Sequence, residues 1–305
     1  MLPRLKLRLL LVLLIPLVPG RYCVAQELTP RAYWPAPQGT EVLTLGLSYT
    51  DGDTVPDPSL PVSGIDSQIT TAFASYLRTF SLWGRTASVV LQQPYSTGTT
   101  TANHEVLGKL ERDYQGVGDF SATLGVNLLG APAMSREEFA ELRRNPHPIL
   151  GASVRVLAPT GRYQEDRLIN VGANRWAVKA ELGYMTALRP QWLLEFELGA
   201  WIFGDNDDFV GMKREQDPIY ALQTHLIRRF SAGFWVSLDA NIYRGGRGKL
   251  DGRKLDDLQR DSRFGINLAV PFAGRNVVKL SYAMGSVNDS DENFDIYQLT
   301  YQRLL

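Results

Sequence analysis

The chain has almost no cysteine, little histidine and no excess charge of either sign. Cys23 is the single cysteine in 305 residues, so no disulfide can form within the chain, and burial and hydrogen bonding must hold the fold. The three histidines, His104, His147 and His225, are far apart and give no local spacing for a metal site. The 32 basic and 32 acidic residues cancel, which removes the one-signed field that nucleic acid binding requires. No apolar run approaches the roughly 20 residues of a spanning helix. The nearest, Leu9 to Val18, follows Arg4, Lys6 and Arg8 and reads as the core of a secretory signal peptide cut after Ala25. The expected layout is a leader at 1–25, a periplasmic segment at 26–39 and one domain at 40–305.

What the chain does have is alternation. Trp176, Val178, Ala180, Leu182 and Tyr184 interleave with Arg175, Lys179, Glu181 and Gly183, and Trp192, Leu194, Phe196 and Leu198 with Glu195, Glu197 and Gly199. Successive side chains of a strand point to opposite faces, so one face is apolar and the other charged. Such runs are expected at 40–50, 66–80, 84–96, 117–128, 148–158, 174–185, 191–203, 218–230, 233–244, 262–272, 276–286 and 293–304. Twelve strands of about 11 to 13 residues, tilted by about 40°, would each span roughly 28 to 33 Å. That length crosses a hydrocarbon layer.

The connections alternate as well. Those at Ser81-Leu82-Trp83, Thr186 to Pro190, Ser231-Ala232 and Ala273-Gly274-Arg275 are tight, whereas those of the other parity are long and polar. Short periplasmic turns and long outer loops are the habit of transmembrane β-barrels, so the fold expected is all-β, a closed antiparallel transmembrane barrel of about 12 strands. The exception is the stretch from Leu129 to Pro146. There Ser135 and Glu138 form a capping-box pattern and predict one short periplasmic helix. Aromatic residues gather near strand ends, with Trp83, Tyr184, Trp192, Phe230, Phe234, Phe272 and Tyr301 at the turns and Tyr49, Tyr95, Phe203 and Tyr243 at the loops. They are read as interfacial girdles.

The inward register nominates the residues of a lumen, namely Arg155, Arg175, Lys179, Glu181, Glu195, Glu197, His225, Asp239, Arg263, Asn267 and Lys279. A five-residue loop at 186–190 would set Lys179 opposite Glu197 and Glu181 opposite Glu195. Counting around Ser231-Ala232 lets His225 face Asp239 or Ser237. Plain strands without a strained nucleophile turn argue against a hydrolase triad there. The acidic runs at 205–208 and 288–293 lack calcium-loop spacing and read as solvated loops.

Several motifs then resemble a known family. They include Leu28-Thr29-Pro30-Arg31-Ala32-Tyr33-Trp34-Pro35, Asn127-Leu128-Leu129-Gly130-Ala131-Pro132, Ala158-Pro159-Thr160-Gly161-Arg162-Tyr163, Asn170-Val171-Gly172-Ala173-Asn174-Arg175-Trp176, Asp205-Asn206-Asp207-Asp208-Phe209 and Tyr243-Arg244-Gly245-Gly246. Together they resemble the family described as Putative MetA-pathway of phenol degradation. The resemblance implies an outer-membrane barrel associated with uptake of small, often aromatic or hydrophobic, compounds. The function expected is passive passage of such a solute through a lumen narrowed by charges and by the segment from Glu27 to Gln38. An outer-membrane enzyme acting on lipid or peptide, and a structural or adhesin-like barrel, are the alternatives. Expected partners are outer-membrane lipid and lipopolysaccharide, a small-molecule solute, periplasmic chaperones and the barrel-assembly machinery. No catalytic residue, cofactor, metal or nucleic acid is expected.

Overall fold

The computed structural model describes residues 28–54, 65–104, 108–285 and 294–305. The leader at 1–25 and the acidic run at 288–293 lie outside the described residues. The strands are β1 (Glu41–Gly52), β2 (Ile65–Leu82), β3 (Arg85–His104), β4 (Gly108–Val117), β5 (Phe120–Leu129), β6 (Ile149–Ala158), β7 (Ala177–Arg189), β8 (Trp192–Phe203), β9 (Asn206–Phe209), β10 (Met212–Gln216), β11 (Ile219–Arg229), β12 (Trp235–Gly245), β13 (Gly248–Leu250), β14 (Arg253–Lys254), β15 (Gln259–Phe272), β16 (Asn276–Gly285) and β17 (Phe294–Leu304). A helix, α1 (Arg136–Arg144), lies between β5 and β6.

Thirteen of these strands form one antiparallel sheet that closes on itself, because β1 pairs with β17 from Val42↔Leu304 to Gly52↔Phe294. Both β4 and β5 pair with β3, at Tyr95↔Val117 and Gln92↔Ser121. They are two halves of one stave interrupted at Gly118 and Asp119, so the barrel has twelve staves. Closure pairs the backbone of every stave on both sides, which a chain in hydrocarbon requires.

The apolar register faces outward. Leu182, Leu198, Leu222 and Ile242 are successive partners across four strands and all stay exposed, as do Leu280, Leu299 and Leu47. A band of this extent would be untenable in water and is the lipid wall of a barrel. Trp83, Tyr184, Phe230, Phe272, Tyr49 and Tyr95 are exposed near its edges, as a girdle demands. Phe203 and Tyr243 are not part of it. Their register is inward, and they pack with Trp201, Ile219 and Ala221 inside the outer mouth.

Three local expectations are corrected. The connection after the third strand is not a loop, since β3 and β4 continue past the membrane as a paired hairpin from Tyr95↔Val117 to His104↔Gly108. Thr97, Thr99, Thr100 and Thr101 are β-branched and suit a strand, but a strand polar on both faces has no hydrophobic period to betray it. The tight turn after β7 is Pro190-Gln191 rather than Thr186 to Pro190, because β7 runs on to Arg189, which pairs with Trp192. Proline presets a turn's φ and so holds the corner. The shift sets Glu181 opposite Gly199, Lys179 opposite Trp201 and Glu197 opposite Gly183, replacing both of the cross-strand pairs expected. Finally, β14, β13, β10 and β9 form a second small sheet over the outer mouth.

The helix forms where its cap predicts. Ser135 Oγ accepts from the Glu138 backbone, the Glu138 carboxylate accepts from the Ser135 backbone, and Glu137 and Glu138 sit at the positive end of the helix dipole. Its apolar side does not float in solvent. Leu142, Phe139 and the preceding Met134 pack on the inward Ile149, Met185, Leu193, Ile227, Trp235 and Ala269, so α1 stoppers one end of the barrel.

Candidate permeation path

The inner face is divided into two unlike walls. From β6 to β15 it is charged and sealed. Glu195, Glu197 and His225 are fully buried, and Asp239, Arg263 and Asn267 nearly so. His225 Nδ1 lies 2.6 Å from Asp239 Oδ1, and Asp239 Oδ2 also accepts from Asn267 at 2.7 Å and Ser237 at 2.9 Å. His225 Nε2 faces Glu197 at 3.8 Å, and Gln223 donates to Glu197 at 3.1 Å. Lys179 pairs with Glu181. Each charge thus has a counter-charge or hydrogen bonds, as burial of ions requires. Serine and histidine both bind the same aspartate, and among the described residues no hydroxyl sits on the imidazole, so the geometry is not that of a nucleophilic triad.

The amino-terminal segment completes this wall. Residues 28–38 fold up into the barrel, where the backbone N–H groups of Arg31 and Tyr33 donate to Glu195 at 2.6 and 3.4 Å. Tyr33 is buried with its hydroxyl 3.0 Å from Ser153 Oγ and 3.1 Å from Glu181 Oε1. Its ring fills a slot that exists because Gly151 and Gly183 are register partners, and a Cβ on either would stand about 2 Å from the ring. Asn127 donates to the Tyr33 carbonyl at 3.2 Å.

From β16 through β17, β1, β2 and β3 to β5 the inner face is different. Among its inward positions, Lys279 on β16 carries the one charge; β17, β1, β2, β5 and β3 as far as Thr100 present none. Ser48, Phe73, Ser75, Leu77, Val90, Gln92, Thr123, Ile296 and Gln298 are only half-buried. Inward side chains that stay half-exposed border unfilled space. Phe73 reaches across Gly46, whose added Cβ would stand 2.1 Å from the end of the ring, so the glycine makes room for it. Beyond the membrane, the loop at 159–176 is pinned by Asp119, which accepts from Gly161 and Ala173 at 2.8 Å each. A cavity of about 650 Å3 opens there between this loop and the outer ends of β2 to β4, bounded among others by Tyr114, Arg167 and Ile169.

The nominated residues therefore fall into groups. Lys179, Glu181, Glu195, Glu197, His225, Asp239 and Asn267 come together in the sealed wall. Arg155 reaches Ser121 at 3.2 Å, and Arg263 lies over the Phe294 ring at 4.9 Å. Arg175 is not on a stave. It is buried under the outer sheet, against Gln216 and over Phe203. The sequence reading missed the neutral wall, although its signal was present as the lack of charge at the inward positions of five segments. It also missed the glycine slot, whose two halves lie 32 residues apart in sequence.

Among solved structures, the COG4313 outer membrane channel from Pseudomonas putida F1 matches with a TM-score of 0.73 and 23% identity, over 92% of this chain and 100% of that one. The transport unit of the autotransporter AIDA-I from Escherichia coli matches at a TM-score of 0.52 and 8% identity, over 92% of this chain and 93% of that one. At these identities the likeness shows the fold, that of outer-membrane barrels. No curated protein sequence matches. The family described as Putative MetA-pathway of phenol degradation matches residues 47–294, most of the chain, and the chain belongs to that family.

Proposed function

We propose that the chain, after removal of its leader at Ala25, is an outer-membrane channel for passive passage of small uncharged compounds, aromatic or otherwise hydrophobic. The observation that carries this reading is the split lumen. A wall of paired, buried ions fills one side of the bore, and beside it runs a half-exposed wall of hydroxyl, amide, aliphatic and aromatic groups with almost no charge. Neutral solutes lose little solvation on such a surface, whereas cations find no counter-charge along it and anions only Lys279. The Pseudomonas putida protein of the same fold is named an outer membrane channel, and the family description names phenol degradation; both agree with the reading. In it, Lys179, Glu181, Glu195, Glu197, His225, Asp239, Arg263 and Asn267 act as a rigid filling that narrows the path, and Lys279 is the charge nearest the solute. The segment at 28–38 and α1 close the periplasmic end and must yield for passage.

The test is solute flux into proteoliposomes together with single-channel conductance in planar bilayers. Phenol-sized neutral compounds should enter faster than their charged analogues, and Ser48→Trp or Thr123→Trp should slow them. Absence of both flux and conductance, with the segment at 28–38 present or deleted, would sink the proposal.

A further inference from the structure

Three arginines from three elements converge on one small cavity at the end of the barrel closed by α1. Arg31 comes from the amino-terminal segment, Arg143 from the last turn of α1 and Arg229 from the end of β11. With Phe139, Ser231, Gly233 and Trp235 they line a space of about 200 Å3, and no acidic side chain is among its walls. The Arg31 guanidinium lies 5.7 Å from the Trp34 ring and 5.2 Å from the Trp235 ring, and its buried Nε has no hydrogen-bond partner among the described residues. Arg143 lies over Phe139 at 5.9 Å, while its neighbour Arg144 is the one that pairs with Glu141. Arg229 donates to the carbonyls of Arg143 and Pro190, which leaves its buried Nε unpartnered. Glu195 offsets part of the Arg31 charge from nearby, but its two oxygens accept the backbone N–H groups of Arg31 and Tyr33 and no guanidinium N–H.

A guanidinium carries five donors in a fixed fork, and shielded donors without acceptors are costly. Three like charges around one cavity add repulsion. Burial, followed by the Arg229 cation, pulls Arg31 below the ordinary guanidinium range. Cation–π contact answers part of this, but an aromatic face accepts no strong N–H hydrogen bond. An oxyanion answers all of it, since carboxylate and phosphate match the arginine fork. A water molecule takes about 30 Å3 in the liquid, so the space admits a bare phosphate or a carboxylate carried on a small ring, with Phe139 and Trp235 as walls.

We propose that this cavity is a binding site for one small oxyanion, seated among Arg31, Arg143 and Arg229. The site stands or falls independently of whether solutes cross the barrel. It is tested by calorimetric titration of the full mature chain in detergent with sodium benzoate, inorganic phosphate, glycerol 3-phosphate and the neutral benzyl alcohol. At least one anion should bind saturably and benzyl alcohol should not. Arg143→Gln and Arg31→Gln should each weaken binding by about tenfold or more, the scale of one lost charge-assisted contact. Preference for benzoate would assign the site to aromatic carboxylates, for glycerol 3-phosphate to a lipid headgroup, and for phosphate to the free ion. The proposal is overturned if no anion binds, if benzyl alcohol binds as well as benzoate, or if both variants bind as the parent does. Should Arg31→Gln fail to fold, Arg143→Gln, on a helix outside the staves, decides alone.

Discussion

Replacing Gly183 with valine should eject Tyr33 from its slot and loosen the segment that fills the lumen. A Cβ at this position would stand 2.0 Å from the Tyr33 ring, against an ordinary carbon–carbon contact of about 3.5 to 4.0 Å. The ring must retreat by roughly 1.5 Å or more, and the opposite side of the slot gives no room, since Gly151 meets the same ring at 2.1 Å. Displacement breaks the Tyr33 hydroxyl contacts to Ser153 and Glu181, about 1 kcal/mol net each. It also forfeits part of the burial of the ring, whose complete loss costs about 3 to 5 kcal/mol. A total near 3 kcal/mol is reasonable and corresponds to a shift of about a hundredfold between seated and released segments. Valine itself suits a strand, so the barrel should survive. Trypsin cleavage after Arg31 in folded protein should accelerate, and channel open probability in planar bilayers should rise. Tyr33→Ala should do the same without touching the wall. If Gly183→Val is cleaved and conducts like the parent, Tyr33 does not latch the segment. If it loosens the segment and Tyr33→Ala does not, the cause is wall distortion and the latch argument fails.

Further outcomes follow from the same geometry. His225→Ala should lower thermal stability by about 2 to 4 kcal/mol, because it removes the imidazole that the buried Asp239 and Glu197 carboxylates face, and heat-modifiable gel mobility measures it. His225→Ala should leave flux of neutral solutes within about twofold if the path follows the other wall, a difference of under ~0.5 kcal/mol; loss of flux in folded protein would move the path. Ser135→Ala should destabilise the capped helix by about 1 kcal/mol, read by faster proteolysis within α1. Ser48→Arg, which introduces a charge on the neutral wall, should slow uncharged aromatic solutes while leaving the barrel folded.

Much of the fold was legible in residues that act locally. The alternation at 174–203 placed β7 and β8 within a few residues, and Ser135 with Glu138 placed the helix, because strand pleat and helix capping depend on neighbours in sequence. The register of that same hairpin was not legible. The alternation lapses at Met185, Thr186 and Ala187, several residues before the strand ends, so nothing local says where the strand turns, and the two-residue corner at Pro190 reassigned every cross-strand partner of Glu181 and Glu197. The aromatic pattern failed for a similar reason at Phe203 and Tyr243, which lie at the right height but on the inward parity.

The sequence by itself determined that this chain crosses a membrane with strands, and which side chains face lipid and which face the lumen. These follow from a period of two and from side-chain chemistry. Only the tertiary structure decided which inward groups are sealed and which border open space, that Tyr33 enters a slot made by Gly151 and Gly183, and that Arg31, Arg143 and Arg229 meet at one mouth. Inward positions carry the same period whether the bore beside them is filled or empty. Filling is settled by contacts between segments more than a hundred residues apart, such as that of Arg31 with Glu195.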